Sequence, residues 1–156
     1  MRTLLLMRHG EALNPSGSKD FDRPLSEAGK LQVQQASRRI LDAGFRADHG
    51  CASPSRRTTE SAVEVQAVHP GVHFTPHKNL YLTGFDQLFL VVSSFDDAVA
   101  NIWALGHNPG FSEIACRLTG EYIGLNVSQT AVCQIEAESW HEALNSTGAW
   151  TLRGFF

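Results

Sequence analysis

Little in this chain could cross-link it, anchor it in a membrane or spread positive charge over it. Its 156 residues hold three cysteines, Cys51, Cys116 and Cys133, far apart and without a CxxC pair. That spacing argues against a disulfide framework and a cysteine zinc site. It leaves thiols suited to a reducing compartment, with the cytoplasm as the expected home. No apolar run approaches membrane-spanning length, and the opening run over residues 4–7 is too short for a signal-peptide core. Basic residues number 13 against 16 acidic ones, a net charge of -3, so no general footprint for nucleic acid exists. An anionic ligand would have to be drawn by a local cluster of arginines. The 42% hydrophobic content and the length suit one domain over residues 1–156 with a core of its own.

What is present is an alternation of two hydrophobic periods. Residues 3–7 form a continuous apolar stretch, as a strand buried on both faces requires. Residues 10–24 read as loop, with Pro15, Gly17 and Pro24. Ser26 can cap a helix that Glu27 starts, with Ala28, Leu31, Ala36, Ile40 and Ala43 as its apolar stripe and Gly44 as its stop. A short strand over 49–52 is followed by a helix opened by Ser53-Pro54, proline in the first turn, running to about Val68. Residues 72–82 are extended and broken by Pro76. From Phe85, the residues Leu88, Val92 and Phe95 repeat at helical spacing, so a third helix ends before Asp96. Residues 98–105 make a second buried strand, and 111–118 a helix closed by Gly120. Strands over 130–136 and 149–153 follow, joined by a polar stretch. The alternation predicts a three-layer α/β sandwich: a mostly parallel central sheet with helices on both faces.

Two histidines stand at the ends of the two buried strands, His9 after residues 3–8 and His107 after residues 98–106. In open α/β sheets, ligands collect at the carboxyl ends of such strands. Arg8 precedes the first histidine, and Gly10 behind it lets the chain bend. An imidazole is a nucleophile only when neutral, and neighbouring guanidinium groups favour that state. The same groups hold a phosphoryl oxygen through paired N–H donors. Arg57 falls in the first turn of the second helix, where free backbone N–H groups also favour an anion. Arg56 beside it reads as a solvent-facing charge. Arg23, in Asp22-Arg23-Pro24-Leu25-Ser26, stands just before a helix, as does His107 in Gly106-His107-Asn108-Pro109-Gly110.

On these motifs, the chain resembles the histidine phosphatase superfamily, whose fold is that of the phosphoglycerate mutases, and most of all its SixA-type protein phosphohistidine phosphatases. The likeness runs from Leu4 to the strand after Thr130. It rests on Leu-Met-Arg-His-Gly-Glu, Asp-Arg-Pro-Leu-Ser-Glu-Ala-Gly, Ser-Pro-Ser-Arg-Arg-Thr-Thr-Glu-Ser-Ala and Gly-His-Asn-Pro-Gly, in that order. The resemblance implies that His9 carries the phosphoryl group during turnover, clamped by Arg8 and Arg57, with His107 as the second histidine. The charge of a bound dianion would keep His107 protonated and so complete the clamp. Arg23 matches an additional arginine of the compact SixA-like members, and Gly10 and Asn108 complete the expected substrate-binding set. Thr58 and Ser61 depart from the usual alanine and threonine.

One absence bears on the substrate. Larger mutase-like members carry a glutamate that protonates an alkoxide leaving group. Here no acid occurs from residue 65 to residue 85, and Leu82 stands about where that glutamate is expected. An imidazole leaves without a strong acid, so a phosphoramidate such as phosphohistidine on a protein is favoured. Asp86 is the nearest substitute acid, and Glu11 is placed either to orient His9 or to face water. The chain also has no room for a long lid, which leaves a shallow site that a protein surface could approach. The expected partner is a phosphorylated histidine-containing protein such as a phosphotransfer domain, with no nucleic acid and no membrane. A monomer is compatible with this reading. The alternatives are a small-molecule phosphomonoesterase on the same site and a non-catalytic phosphate-binding module. No cofactor and no metal are expected: His69, His73 and His77 are four apart, but Pro70, Gly71 and Pro76 forbid the helix that would align them.

Overall fold

The first apolar run becomes β1 (Arg2–Arg8) in the computed structural model, which describes residues 1–156. After it come α1 (Glu27–Asp42), β2 (His49–Ala52), α2 (Arg56–Val68), β3 (Phe74–Pro76) and α3 (Phe85–Val92). Then follow β4 (Asn101–Gly106), α4 (Gly110–Thr119), β5 (Thr130–Ile135), α5 (Trp140–Asn145) and β6 (Thr151–Phe155). The strands form one sheet in the order β3-β2-β4-β1-β5-β6. The pairs β3·β2, β2·β4 and β4·β1 are parallel, while β1·β5 and β5·β6 are antiparallel. The expected mostly parallel sheet is present, with an antiparallel edge.

Alternation along the strands divides the interior into two cores. Leu4, Leu6, Ile102, Ala104, Ala131 and Cys133 point to one face, where α3, α4 and α5 cover them with Leu88, Ile114, Leu118 and Trp140. Leu5, Met7, Trp103, Leu105 and Val132 point to the other, under Val33, Ala36 and Ile40 of α1 and Val65 of α2. A strand clad on both sides can be apolar at every position, which is why residues 4–7 show no alternation in type. Trp103 and Phe111, which flank the second histidine motif, are fully buried core residues.

Four local expectations are corrected. The inward face of α1 is Gly29, Val33, Ala36, Ser37 and Ile40, and Leu31 is exposed. The helix is rotated so that Gly29 meets the chain leaving β1: a Cβ there would overlap the Glu11 carbonyl oxygen. Ser53-Pro54 stays outside α2, whose N-cap is Ser55, because Ser53 is committed to the loop at the end of β2. The polar stretch after β5 contains α5, capped by Ser139, which accepts from the Glu142 N–H at 3.0 Å. The third helix also ends sooner than expected, at Val92. Gly44 and Gly120, with φ of 86° and 74°, terminate α1 and α4 in the left-handed conformation that glycine adopts most cheaply.

Candidate active site

The register of the two central strands brings the histidines together. Arg8 of β1 is the lateral partner of Gly106 of β4, so His9 and His107 each stand one residue beyond a paired position. The His9 N–H donates to the Gly106 carbonyl at 3.0 Å, and the imidazole centroids lie 5.2 Å apart. The neighbouring parallel strand β2 delivers the Ser53-Pro54-Ser55 loop and, through α2, the Arg57 side chain. All four residues therefore gather at the carboxyl end of the parallel strands. A cavity of about 330 Å³ opens there, lined among others by Arg8, His9, Arg23, Arg57, His107 and Asn108.

Hydrogen bonds assign the tautomers of both rings. His9 Nδ1 lies 2.7 Å from its neighbour's carbonyl oxygen, Gly10 O, which can only accept. Nδ1 thus carries the proton and Nε2 keeps its lone pair. Arg57 Nε donates to that Nε2 at 3.2 Å. At His107 the arrangement is reversed: Arg57 Nη2 donates to Nδ1 at 3.1 Å, and Nε2–H donates to Ser53 Oγ at 2.9 Å, with Ser55 Oγ at 3.4 Å. Burial lowers the pKa of His9 to about 4, ahead of the charges on Arg57, Arg8 and Arg23 and against the bond to Gly10. The guanidinium groups thus reinforce a neutrality that desolvation establishes first. His107 is held at about 3, again by burial first and then by Arg57 and His9. In this arrangement it is neutral, with Nδ1 as an acceptor.

Arg8 donates from Nη1 to the Leu125 carbonyl at 3.1 Å, while its buried Nε has no partner. Arg23 is fixed by the Leu13 carbonyl at 3.0 Å and the Asp20 carboxylate at 3.2 Å. Asn108 borders the cavity, yet its side chain is spent on the protein: Nδ2 donates to the Leu125 carbonyl at 2.6 Å and Oδ1 accepts from Ser112 in α4. Gly10 acts through close packing. A Cβ would come within 2.6 Å of the Gly29 carbonyl oxygen, and its N–H is held by Ser61 Oγ at 3.1 Å. Its φ is not in the left-handed region, so tightness and not an unusual bend requires glycine here.

The two motif departures support the loops around the site. Ser61 also donates to the Arg57 carbonyl at 2.7 Å, and Thr58 donates to the Ser53 carbonyl at 2.6 Å. Arg56 turns outward and pairs with Glu60 at 2.8 Å. Glu11 lines the cavity and accepts from Ser26 Oγ at 2.9 Å. Asp86 lies elsewhere, in a separate hollow with Arg117, and does not reach the histidines. His69 is buried, bonded to the Ser37 carbonyl at 2.8 Å and edge-on to Trp103.

Two residues absent from the sequence reading complete the site. Asp20, in a short turn at Asp20–Asp22, places its carboxylate against Arg57 at 3.1 Å and against the Tyr81 hydroxyl at 2.5 Å. The Tyr81 ring in turn lies edge-on to His107, centroids 5.4 Å apart. A hint was available in the i,i+3 spacing of Asp20 and Arg23, which suits an ion pair on one turn. Nothing local to Tyr81 pointed to the site.

The model of the histidine phosphatase superfamily (branch 1) matches residues 4–81, which hold His9, Arg8, Arg23 and Arg57. The chain belongs to this superfamily. It is 30% identical over 166 residues to an uncharacterised chloroplastic protein of Arabidopsis thaliana, covering 98% of this chain and 76% of that one. Its fold is that of the SixA protein of Agrobacterium tumefaciens, with a TM-score of 0.84 at 21% identity over 99% of this chain and 97% of that one. A protein histidine phosphatase SixA complexed with tungstate matches with a TM-score of 0.80 at 18% identity, over 98% and 95% of the two chains. A mycobacterial glucosyl-3-phosphoglycerate phosphatase matches with a TM-score of 0.68 at 13% identity, over 97% of both. The solved structures that share this sheet are named as phosphatases of different phosphorylated substrates.

Proposed function

We propose that the protein is a phosphohistidine phosphatase that works through a covalent phosphoryl group on His9. The observation that carries this reading is the tautomer of His9: Nδ1–H is tied to Gly10, so the lone pair of Nε2 faces Arg57 and His107 in the cavity. With its pKa near 4 the ring is neutral at physiological pH and needs no base to activate it. Nε2, released from its hydrogen bond to Arg57 Nε, attacks phosphorus as the bond to the substrate's imidazole nitrogen breaks, and that ring leaves neutral because its other nitrogen carries a proton. Arg8, Arg57 and Arg23 spread the charge of the transferring group. Water then attacks the phosphorylated His9, releasing inorganic phosphate and restoring the lone pair. His107 contributes by fixing Arg57, and it completes the clamp if it takes up a proton as the dianion arrives.

A protein substrate is supported by the rim. Leu82, 61% exposed, lines the cavity, and Leu13 and Phe21, next in sequence to the lining residues Ala12 and Asp20, are also exposed. A phosphotransfer domain bearing phosphohistidine fits such an open, partly apolar mouth. The free thiols fit a reducing compartment such as the cytoplasm, and burial pushes those of Cys51 and Cys133 up to about 12. No helix is long and apolar enough to cross a membrane.

Asp20 favours a second reading, a small-molecule phosphomonoesterase, because it puts a carboxyl group in the cavity. Its hydrogen bond from Tyr81 and its contacts with Arg57 and Arg23 hold its pKa at about 2, so at neutral pH it has no proton to give. Turnover of a phosphorylated phosphotransfer domain compared with hexose phosphates separates the two. The expected result is a kcat/KM at least about a hundredfold higher for phosphohistidine, the scale of a missing general acid. Equal rates would establish the phosphomonoesterase instead.

A further inference from the structure

Of the five N–H donors that a guanidinium offers, Arg57 has nearly all directed at protein groups. Nε serves His9 at 3.2 Å, and Nη1 serves the Asp20 carbonyl at 2.6 Å. Nη2 serves both the Asp20 carboxylate and His107 Nδ1 at 3.1 Å. Arg23 Nη1 holds the other oxygen of the same carboxylate at 3.2 Å. An anionic carboxylate therefore sits across two of the arginines that line the cavity, held from behind by the Tyr81 hydroxyl. These are the contacts a tetrahedral dianion would make.

We propose that the Asp20 carboxylate is a built-in competitor for the phosphoryl group, admitting substrate only when it is displaced from Arg57 and Arg23. The inference rests on the cavity being a phosphoryl site. Asp20 is ionised, with its carboxyl held at about 2 by Tyr81, Arg57 and Arg23 together, so the competition is between anions at any pH near neutrality. The displacement is mechanically cheap. The Asp20–Asp22 turn buries no side chain, and the Asp20 side chain is 48% exposed, so it can move into water without opening either core. Tyr81 sets the strength of the latch twice over: its hydroxyl donates to the carboxylate, and its ring stacks edge-on against Phe21 with centroids 5.1 Å apart. A ligand carrying two negative charges regains from the arginines more than one carboxylate gives up. Weak monoanions such as surface carboxylates of other proteins do not, which makes Asp20 a filter on charge as well as a gate.

The opposite role is a carboxylate that merely positions the arginines, and the two roles predict opposite signs. Binding of inorganic phosphate at pH 7 is measured by calorimetry for the native protein and for Asp20→Asn, Asp20→Ala and Tyr81→Phe. Melting curves confirm that each is folded. A competitor predicts that both Asp20 variants bind phosphate about tenfold more tightly, and Tyr81→Phe a few-fold more tightly. Alanine matters because it removes the carboxylate without adding an amide donor. Equal or weaker binding by Asp20→Ala overturns the proposal and makes Asp20 a positioning residue. Absence of phosphate binding in every version would overturn the phosphoryl site itself, and the competitor with it. Tighter binding without turnover of phosphohistidine would leave the competitor standing and remove only the proposed substrate.

Discussion

His9 is a buried ring with both nitrogens committed, Nδ1 to Gly10 and Nε2 to Arg57. Replacing it with alanine removes Nε2, the unprotonated ring nitrogen that the proposed mechanism uses; His107 Nδ1 also accepts from Arg57, but its ring is tied on the other side to Ser53. His9→Ala should lose turnover of an aryl phosphate to the background level and trap no acid-labile phosphate. The fold should survive, at a cost of about 1–3 kcal/mol for the unpaired Gly10 carbonyl and the space left behind. Rapid-quench labelling together with urea unfolding checks both halves, and normal turnover by a folded His9→Ala protein would require a different nucleophile.

At the level of elements, the site depends on how closely α1 approaches the exit of β1. Ser26 caps α1 by accepting the Gly29 N–H at 2.9 Å, and the Ser26 N–H donates to the Glu11 carbonyl at 2.9 Å. The helix start is thereby stitched to the residues that follow His9, and Gly29 leaves no space for a methyl group against the Glu11 backbone. Gly29→Ala should push the two apart and destabilise the protein by about 1–3 kcal/mol, the usual range for overpacking, with a loss of activity larger than the loss of stability implies. Gly71→Ala is the control: nothing lies within 4 Å of a Cβ there, and its φ is not left-handed, so it should be near neutral. Equal behaviour of the two variants in thermal melts and in kcat would remove the close approach as a determinant of the site.

For the molecule as a whole, two buried neutral histidines under one sheet end link stability to pH. The unfolded rings bind a proton near 6.5, the native His9 only near 4 and His107 near 3. Through this interval the unfolded chain holds more protons, so stability is highest above about 6.5 and falls as the pH drops towards 3. Burial lowers His69 and His77 too, which adds to the same trend. Asp20 acts in the same direction at still lower pH, losing its contribution as it is protonated towards about 2. Urea midpoints should therefore decrease from pH 7 to pH 4.5, and less so in a His107→Gln variant. A flat profile would mean that the rings are not held neutral by burial.

The sequence by itself determined the strands, the principal helices, and the residues Arg8, His9, Arg57 and His107. Each of those signals is local: an apolar run needs no partner to be read, and each motif is a few residues long. Even α5 was legible in principle, because Ser139 and Glu142 have the spacing of a capping box. The tertiary structure decided what depends on meeting across distance. Inserting β4 between β1 and β2 makes His9 and His107 neighbours, and hydrogen-bond register between strands about a hundred residues apart leaves no mark in either segment. The inward face of α1 keeps Ala36 and Ile40 of the expected stripe but takes in Gly29, Val33 and Ser37 in place of Leu31, with Gly29 set against Glu11. Asn108 turned from the cavity to capping because the Leu125 carbonyl takes its Nδ2 donor while Ser112 of α4 donates to its Oδ1. Asp20 and Tyr81 joined the site for the same kind of reason: two loops 61 residues apart share one carboxylate, and only the folded chain brings them to it.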